Sequence, residues 1–371
     1  MPHLVAIDLP AGDRFVETLR RIWDSGDAAF PLDRRLPPTA RLSALAAIAP
    51  GRLIDADGEH RLDGLEVEHG DALVVATSGT TGAARGVILT HDAVQASADA
   101  TSARLGVTGD DTWLACLPLS HVGGLSVVTR AVVTDSRLIV HDGFDADAVR
   151  VAASRGATLV SLVPTALQRI DAGLFRRVVL GGSRPPDRLP SNVVTTYGMT
   201  ETGSGVVYDG LPLDGVEIRV DEDDEIHVRG PMLLRCYRDG VDPRIDGWFP
   251  TGDLGALSDD GRLTVFGRRG DMIITGGENV WPAEVEAVLA THEGIADVAV
   301  AGAVDPEWGQ RVVAWIVPVD PGAPPSLASI RSMAAEFLPM YMSPKEIRLV
   351  DSLPTTSSGK VRRHDLSTLT D

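Results

Sequence analysis

Leu73-Val74-Val75-Ala76-Thr77-Ser78-Gly79-Thr80-Thr81-Gly82-Ala83-Ala84-Arg85-Gly86-Val87 is the stretch that decides how this chain folds. An apolar, β-branched run enters a segment made only of Ser, Thr, Gly, Ala and Arg. The first half reads as a buried strand. In the second half, glycines let backbone N–H groups converge on an anion, and the hydroxyls of Thr77, Ser78, Thr80 and Thr81 add donors. Arg85 supplies a fixed positive charge. The G-x-x-x-x-G-K-[ST] phosphate loop is absent. A helix expected from about His91 puts the segment between a strand and a helix, which separates it from a Ser/Gly-rich surface linker.

Outward from this loop, short β-branched runs alternate with helical stretches. Leu73–Ala76, Trp113–Leu117, Leu138–His141, Thr158–Val163, Arg177–Leu180 and Val193–Thr196 are expected strands. Helices are expected near 92–104, 123–133, 145–155 and 164–171. Strands spaced by helices predict a largely parallel α/β sheet. Residues 1–70 are poorly patterned apart from an amphipathic helix at Asp13–Trp23. After Tyr208 the texture becomes β-rich, with strands at Val216–Val220, Glu225–Val228 and Arg262–Phe266. Beyond Gly267, a Pro-started helix at Pro282–Thr291, strands at Asp297–Ala301, Val312–Val317 and Ile347–Val350, and a helix at Leu327–Phe337 predict a small α+β unit. The expected division is an N-terminal domain over 1–269 (an α/β part over 1–207, a β-rich part over 208–269) and a lid domain over 270–371.

The chain has 371 residues, 44% of them hydrophobic and 23% charged, which is ordinary globular composition. No apolar run approaches the roughly 18–20 residues of a membrane span, and no basic stretch leads into an apolar core at the N-terminus. Thirty-four basic residues against 52 acidic ones give a formal charge of −18. Such a field repels polyanions and argues against nucleic-acid binding, so a phosphate ligand must be held by a local device. Cys116 and Cys236 stand far apart, as expected of reduced thiols in the cytoplasm. Only Lys345 and Lys360 are lysine, in a chain that otherwise uses arginine.

Several further segments carry chemistry. Pro118-Leu119-Ser120-His121-Val122-Gly123-Gly124-Leu125 presents a histidine after a strand; alone, such a histidine reads as a surface or core residue. Leu180-Gly181-Gly182-Ser183 ends a strand with glycines that allow close approach to a flat ligand. Thr196-Tyr197-Gly198-Met199-Thr200-Glu201-Thr202 places an aromatic face, a hydroxyl and a hard carboxylate within five residues. Gly247-Trp248-Phe249-Pro250-Thr251-Gly252-Asp253-Leu254 is followed by Gly267-Arg268-Arg269-Gly270-Asp271 and by Thr275-Gly276-Gly277-Glu278-Asn279. Leu353-Pro354-Thr355-Thr356-Ser357-Ser358-Gly359-Lys360-Val361 closes the series.

Taken in order, these segments resemble those of adenylate-forming enzymes: acyl-CoA synthetases, luciferases and peptide-synthetase adenylation domains. The resemblance covers residues from about 70 to 365. That family usually has Pro and Lys where this chain has Ala84 and Arg85. The resemblance implies an α/β N-terminal region with a β-rich subdomain, shortened at its N-terminus, and a mobile C-terminal lid. It implies that Thr77, Ser78, Gly79, Thr80, Thr81, Gly82 and Arg85 cradle the β- and γ-phosphates of ATP. Gly181, Gly182, Ser183, Tyr197, Gly198, Met199 and Thr200 would form the adenine and phosphate wall, and Glu201 would hold Mg²⁺. Asp253 would accept the ribose hydroxyls, and Arg268 would contact the ribose. Lys360 would bridge the acyl carboxylate and the α-phosphate, and His121 would stand between acyl pocket and nucleotide. The hinge falls on Gly270 or Asp271.

The implied reaction is ATP-dependent activation of a carboxylate, followed by thiol attack from CoA. No Ser-type nucleophile is indicated, since G-x-S-x-G is absent. The short region before the phosphate loop and the wording of 197–216 are most similar to the o-succinylbenzoate–CoA ligase branch, which serves menaquinone biosynthesis. Thr165, Gln168, Arg169 and Ser183 are candidates for the acyl pocket by position alone. Other aryl or short-chain acyl-CoA synthetases, a stand-alone adenylation domain loading a carrier protein, and a nucleotide sensor on the same fold are the alternatives. A homo-oligomer is left open.

Overall fold

Four-residue apolar runs and amphipathic helices build the first half of the molecule. The computed structural model describes residues 1–78, 84–186, 188–355 and 361–369. The described chain forms two compact units: residues 1–219, 227–250 and 258–263, and residues 220–226, 251–257 and 264–371. Strands Glu217–Val220, Glu225–Arg229, Phe249–Leu257 and Leu263–Arg268 supply residues to both.

The first unit contains two seven-stranded sheets where one was expected. In one, the order is Leu211–Pro212, Gly205–Tyr208, Val193–Gly198, Arg177–Leu180, Leu159–Leu162, Thr112–Ala115, Arg137–Val140. Its five consecutive strands from Val193–Gly198 to Arg137–Val140 are parallel. Its middle is mostly apolar and covered: every residue of Thr112–Ala115 and Leu159–Leu162 is buried. The expected helix over 164–171 is only Pro164–Leu167, because Asp171 opens a new turn by accepting the Gly173 N–H at 2.8 Å.

The other sheet is mixed and runs Cys236–Tyr237, Ala84–Thr90, Asp71–Ser78, Ala28–Pro31, Leu4–Ile7, Arg52–Ile54, Glu59–Arg61. It corrects two expectations. Residues 1–70, which looked unpatterned, supply Leu4–Ile7, Ala28–Pro31 and Arg52–Ile54 as parallel strands, too short to show a period and stabilised by their neighbours. The residues after the Ser/Thr/Gly loop also return as a strand, Ala84–Thr90, antiparallel to Asp71–Ser78, before the expected helix begins. That helix, His91–Leu105, starts where the Thr90 hydroxyl accepts the Ala93 N–H at 3.1 Å and stops at Gly106. The expected helix at 13–23 is present as Asp13–Asp24 and buries Phe15, Thr18, Leu19 and Ile22, one 3.6-period face.

In the second unit, strands Glu278–Val280, Ile273–Thr275, Gly309–Pro318 and Ile295–Asp305 lie side by side, and Glu346–Leu349 pairs parallel to Gly309–Pro318. Alternation sorts its two faces. Val298, Val300, Val312, Ala314 and Ile316 pack with Val285 and Leu289 of helix Pro282–Leu289 and with Ile330 and Ala334 of helix Leu327–Phe337. Ala299, Val313 and Trp315 face the other way, onto Leu353 and Leu366. No helix among the described residues is long and apolar enough to cross a membrane.

Candidate functional site

The residues on either side of the Ser/Thr/Gly segment are paired with each other. Thr77 lies opposite Arg85, and its hydroxyl donates to the Arg85 carbonyl at 3.2 Å. Ser78 pairs with Ala84 in the same ladder. Gly79, Thr80, Thr81, Gly82 and Lys360 lie outside the described residues. The Arg85 guanidinium carbon sits 3.4 Å above the centroid of the Tyr237 ring, and Nη2 reaches Asp239 Oδ2 at 3.2 Å.

Glu201 arrives from the opposite direction in the chain. Strand Val193–Gly198 carries Tyr197 and ends at Gly198, where a Cβ would lie 2.1 Å from the Ser204 carbonyl, so only glycine fits the turn. A one-turn helix, Thr200–Thr202, follows. The buried Thr202 hydroxyl fixes it by accepting the Met199 N–H at 2.9 Å and donating to the Ser204 carbonyl at 2.6 Å. This presents Glu201, whose Oε1 accepts the Tyr237 hydroxyl at 3.0 Å. Burial, then the neighbouring Glu201 charge, push the Tyr237 phenol above its ordinary value. The structure therefore brings Arg85 and Glu201 onto one tyrosine.

Tyr237 is held by its own segment. Residues Cys236–Tyr237 form an edge strand on Ala84–Thr90, with Tyr237 opposite Val87. Arg235 grips the buried Asp71 carboxylate through Nε at 2.8 Å and Nη2 at 2.9 Å. Arg238 donates to the carbonyls of Ile48, Ala49, Leu65 and Glu66.

His121 is the N-cap residue of helix Val122–Val133. Its Nε2 lies 3.5 Å from Oδ2 of Asp33, a buried carboxylate that also takes a two-pronged hydrogen bond from Arg35 at 2.9 and 2.8 Å. Burial works against the Asp33 charge, but His121 and Arg35 outweigh it and hold the carboxyl well below the usual range.

At the end of strand Arg177–Leu180, a Cβ on Gly181 would meet the Thr196 hydroxyl at 2.6 Å, so glycine lets this strand end approach its neighbour closely. Gly182 and Ser183 are exposed, as are the pocket candidates Thr165 and Gln168. Arg169 is also exposed and stacks 5.1 Å from the Phe144 ring centre.

In the second unit, Asp253 and Arg268 form an ion pair, Oδ1 to Nε at 2.8 Å. Asp253 is buried, and Thr251 supports it: its hydroxyl accepts the Asp253 N–H at 3.1 Å and donates to the Ile226 carbonyl at 2.7 Å. Gly270 and Asp271 lie in the one-turn helix Arg269–Asp271. The lysine segment is anchored on both flanks. Thr355 bridges Val361, and the Arg362 N–H donates to the Pro354 carbonyl at 2.8 Å. Arg363 Nη2 reaches both Glu286 carboxylate oxygens at 2.6 Å.

Tyr237, Asp33, Arg35 and Asp239 escaped sequence reasoning. Only contacts between segments far apart in sequence bring them to Arg85, Glu201 and His121. The one available signal was Arg235-Cys236-Tyr237-Arg238, two arginines flanking a tyrosine at the end of an otherwise apolar run.

Residues 66–238 match the model of the AMP-binding enzyme family, and residues 284–360 match the AMP-binding enzyme C-terminal domain. The chain is 39% identical to the probable 2-succinylbenzoate–CoA ligase of Mycobacterium tuberculosis (strain H37Rv), over 96% of each chain. It is 37% identical to the 2-succinylbenzoate–CoA ligase of Bacillus licheniformis, over 80% of this chain and 69% of that one. Among solved structures it is similar to o-succinylbenzoate CoA synthetase from Bacillus subtilis in complex with the acyl-adenylate intermediate. The TM-score there is 0.89 at 30% identity, covering 99% of this chain and 88% of that one. The same synthetase in complex with ATP and magnesium ion gives 0.87. With its fold, its ordered segments and these likenesses in agreement, the chain belongs to the AMP-binding, adenylate-forming enzyme family.

Proposed function

We propose that this chain is an ATP-dependent acid–CoA ligase that converts 2-succinylbenzoate to its CoA thioester. The observation that supports this best is the meeting of the phosphate-loop cation Arg85 with the Glu201 carboxylate at Tyr237. It occurs in a chain 39% identical, over nearly its whole length, to a ligase named for that reaction.

The chemistry runs in two steps. A carboxylate oxygen of the acid attacks the α-phosphorus of ATP; the bond to the bridging oxygen breaks and pyrophosphate leaves. The CoA sulfur, giving up its proton, then attacks the acyl carbon, and AMP leaves. Charge spreads over phosphoryl oxygens in the first step, so the protein acts by positioning and electrostatics. The residues assigned to it are Thr77–Gly82 and Arg85 on the terminal phosphates, Gly181–Ser183 and Tyr197–Thr200 along adenine and phosphate, Asp253 with Arg268 at the ribose, and Lys360 at the reacting oxygens. Glu201 suits Mg²⁺: it offers hard carboxylate oxygens, with one held in place by a neutral donor. Mg²⁺, when bound, offsets phosphate charge. The lid carrying Lys360 begins at about residue 270, and Gly270 or Asp271 is its hinge.

His121 is assigned to the passage between acyl pocket and nucleotide, with its ring fixed by Asp33. Asp33→Asn keeps the shape and removes the charge. Thioester formation from preformed acyl-adenylate is expected to slow on the order of tenfold, as for loss of a charge-assisted hydrogen bond. ATP–pyrophosphate exchange should change far less. Equal slowing of both half-reactions would count against this role.

An acid panel tests the overall reading. AMP release that needs both CoA and 2-succinylbenzoate, on the order of a hundredfold above benzoate or short-chain acids, is expected. Preference for another acid, or AMP release driven by a carrier protein and not by CoA, would replace the reading with one of its alternatives. The cytoplasm is the proposed compartment; both cysteines are buried free thiols, and burial pushes Cys116 up to about 12, which keeps it unreactive.

A further inference from the structure

We propose that Tyr237 is the positioning residue of the triphosphate end of the site: its ring carries Arg85 and its hydroxyl aims Glu201, so that cation and carboxylate meet a magnesium nucleotide as one preset unit. The inference rests on the assignment of Glu201 to the metal and extends it to a residue outside every recognised segment.

Three observations carry it. The guanidinium carbon of Arg85 lies 3.4 Å from the Tyr237 ring centroid, as close as a stacked cation comes, and a planar guanidinium matches that face better than an ammonium does. Asp239 holds the outer edge of the same guanidinium at 3.2 Å, which fixes its rotation over the ring. The Tyr237 hydroxyl donates to Glu201 Oε1 at 3.0 Å. A carboxylate with one oxygen bound to a fixed donor has a defined orientation for the other. The backbone around it is equally constrained: the Leu234 N–H donates to the Glu201 carbonyl at 2.7 Å, and the Arg238 N–H donates to the Gly86 carbonyl at 2.7 Å. One short edge strand thus sets the phosphate-loop strand and the Glu201 turn in register with each other.

The geometry also gives a reason for arginine at position 85, where the wider family uses lysine. A stacked, edge-bound guanidinium is pre-oriented before the nucleotide arrives.

The test compares Tyr237→Phe, Glu201→Gln and the double variant in the full-length enzyme. Equilibrium ATP binding is followed by calorimetry at stepped Mg²⁺ concentrations, alongside ATP–pyrophosphate exchange. Tyr237→Phe keeps the ring under Arg85 and loses only the hydroxyl. It is expected to raise the Mg²⁺ concentration needed for half-maximal ATP binding on the order of tenfold, the loss typical of a hydrogen bond to a charged group. The KM for the acid, and thioester formation from preformed acyl-adenylate, should stay as in the parent. In the Glu201→Gln background, Tyr237→Phe should add little, because the residue acts through Glu201. An unchanged Mg²⁺ requirement in Tyr237→Phe, with a shifted one in Glu201→Gln, overturns the Tyr237 assignment alone. So does a full, independent effect of Tyr237→Phe in the double variant. If Glu201→Gln itself leaves the Mg²⁺ requirement unmoved, the metal assignment fails and this proposal falls with it.

Discussion

Lys360→Ala lowers ATP–pyrophosphate exchange by on the order of 10²–10³-fold, yet leaves thioester formation from preformed acyl-adenylate close to the parent rate; that is the expected result of removing the last lysine. The reasoning is electrostatic. Two anions, the acid's carboxylate and the α-phosphate, must approach each other, and a compact ammonium between them offsets their repulsion most strongly where negative charge is shared in the transition state. In the second step the acyl carbon is already activated and AMP departs as a stable anion, so the ammonium has no comparable task. Pyrophosphate exchange measured with the acid and without CoA reads the first step. Synthetic acyl-adenylate mixed with CoA reads the second. Equal loss in both would mean that Lys360 serves the fold or general binding, and would remove the division of labour from the proposed mechanism.

Asp253→Ala has the second large effect, and it differs in kind. The nucleotide's ribose is present in both half-reactions, so both should suffer. Loss of a carboxylate that accepts two hydroxyl hydrogen bonds is expected to raise the KM for ATP, and that for the acyl-adenylate, on the order of 10²-fold. The fold should survive, because the partner left behind, Arg268, is 55% exposed and its charge stays hydrated. Asp253→Asn, which retains one acceptor oxygen, should fall between the parent and Asp253→Ala. Steady-state kinetics on ATP, with circular dichroism as a folding control, decide the matter; an unaltered KM for ATP would detach Asp253 from the ribose.

The second unit and the parallel core of the first were legible because their short β-branched strands alternate with helical stretches or, in the second unit, run long. Leu327–Phe337 and Arg177–Leu180 occur with the expected bounds. The mixed sheet was not legible. Leu4–Ile7 and Ala28–Pro31 have four residues each, and the second contains two alanines and a proline, so nothing local marks it as a strand. Ala84–Thr90 was hidden for another reason: its first three residues, Ala84, Arg85 and Gly86, resemble the loop that precedes them. The site divides in the same way. Residues proposed to touch a ligand by way of a short sequence segment, such as Glu201 and Asp253, can be read from that segment. Their side-chain partners, such as Tyr237 on Glu201 and Asp33 on His121, lie 36 and 88 positions away, and only folding brings them near.

The described flanks of the lysine segment are stapled to the second unit. Thr355 bridges Val361, and Arg363 is fastened to Glu286. Closing a loop whose ends are already fixed costs entropy only as the logarithm of its length. Under the proposed role of Lys360, one or two residues inserted between Thr355 and Val361 should alter ATP–pyrophosphate exchange while hardly touching overall stability. Selection could retune catalytic reach at this point without rebuilding the surrounding architecture.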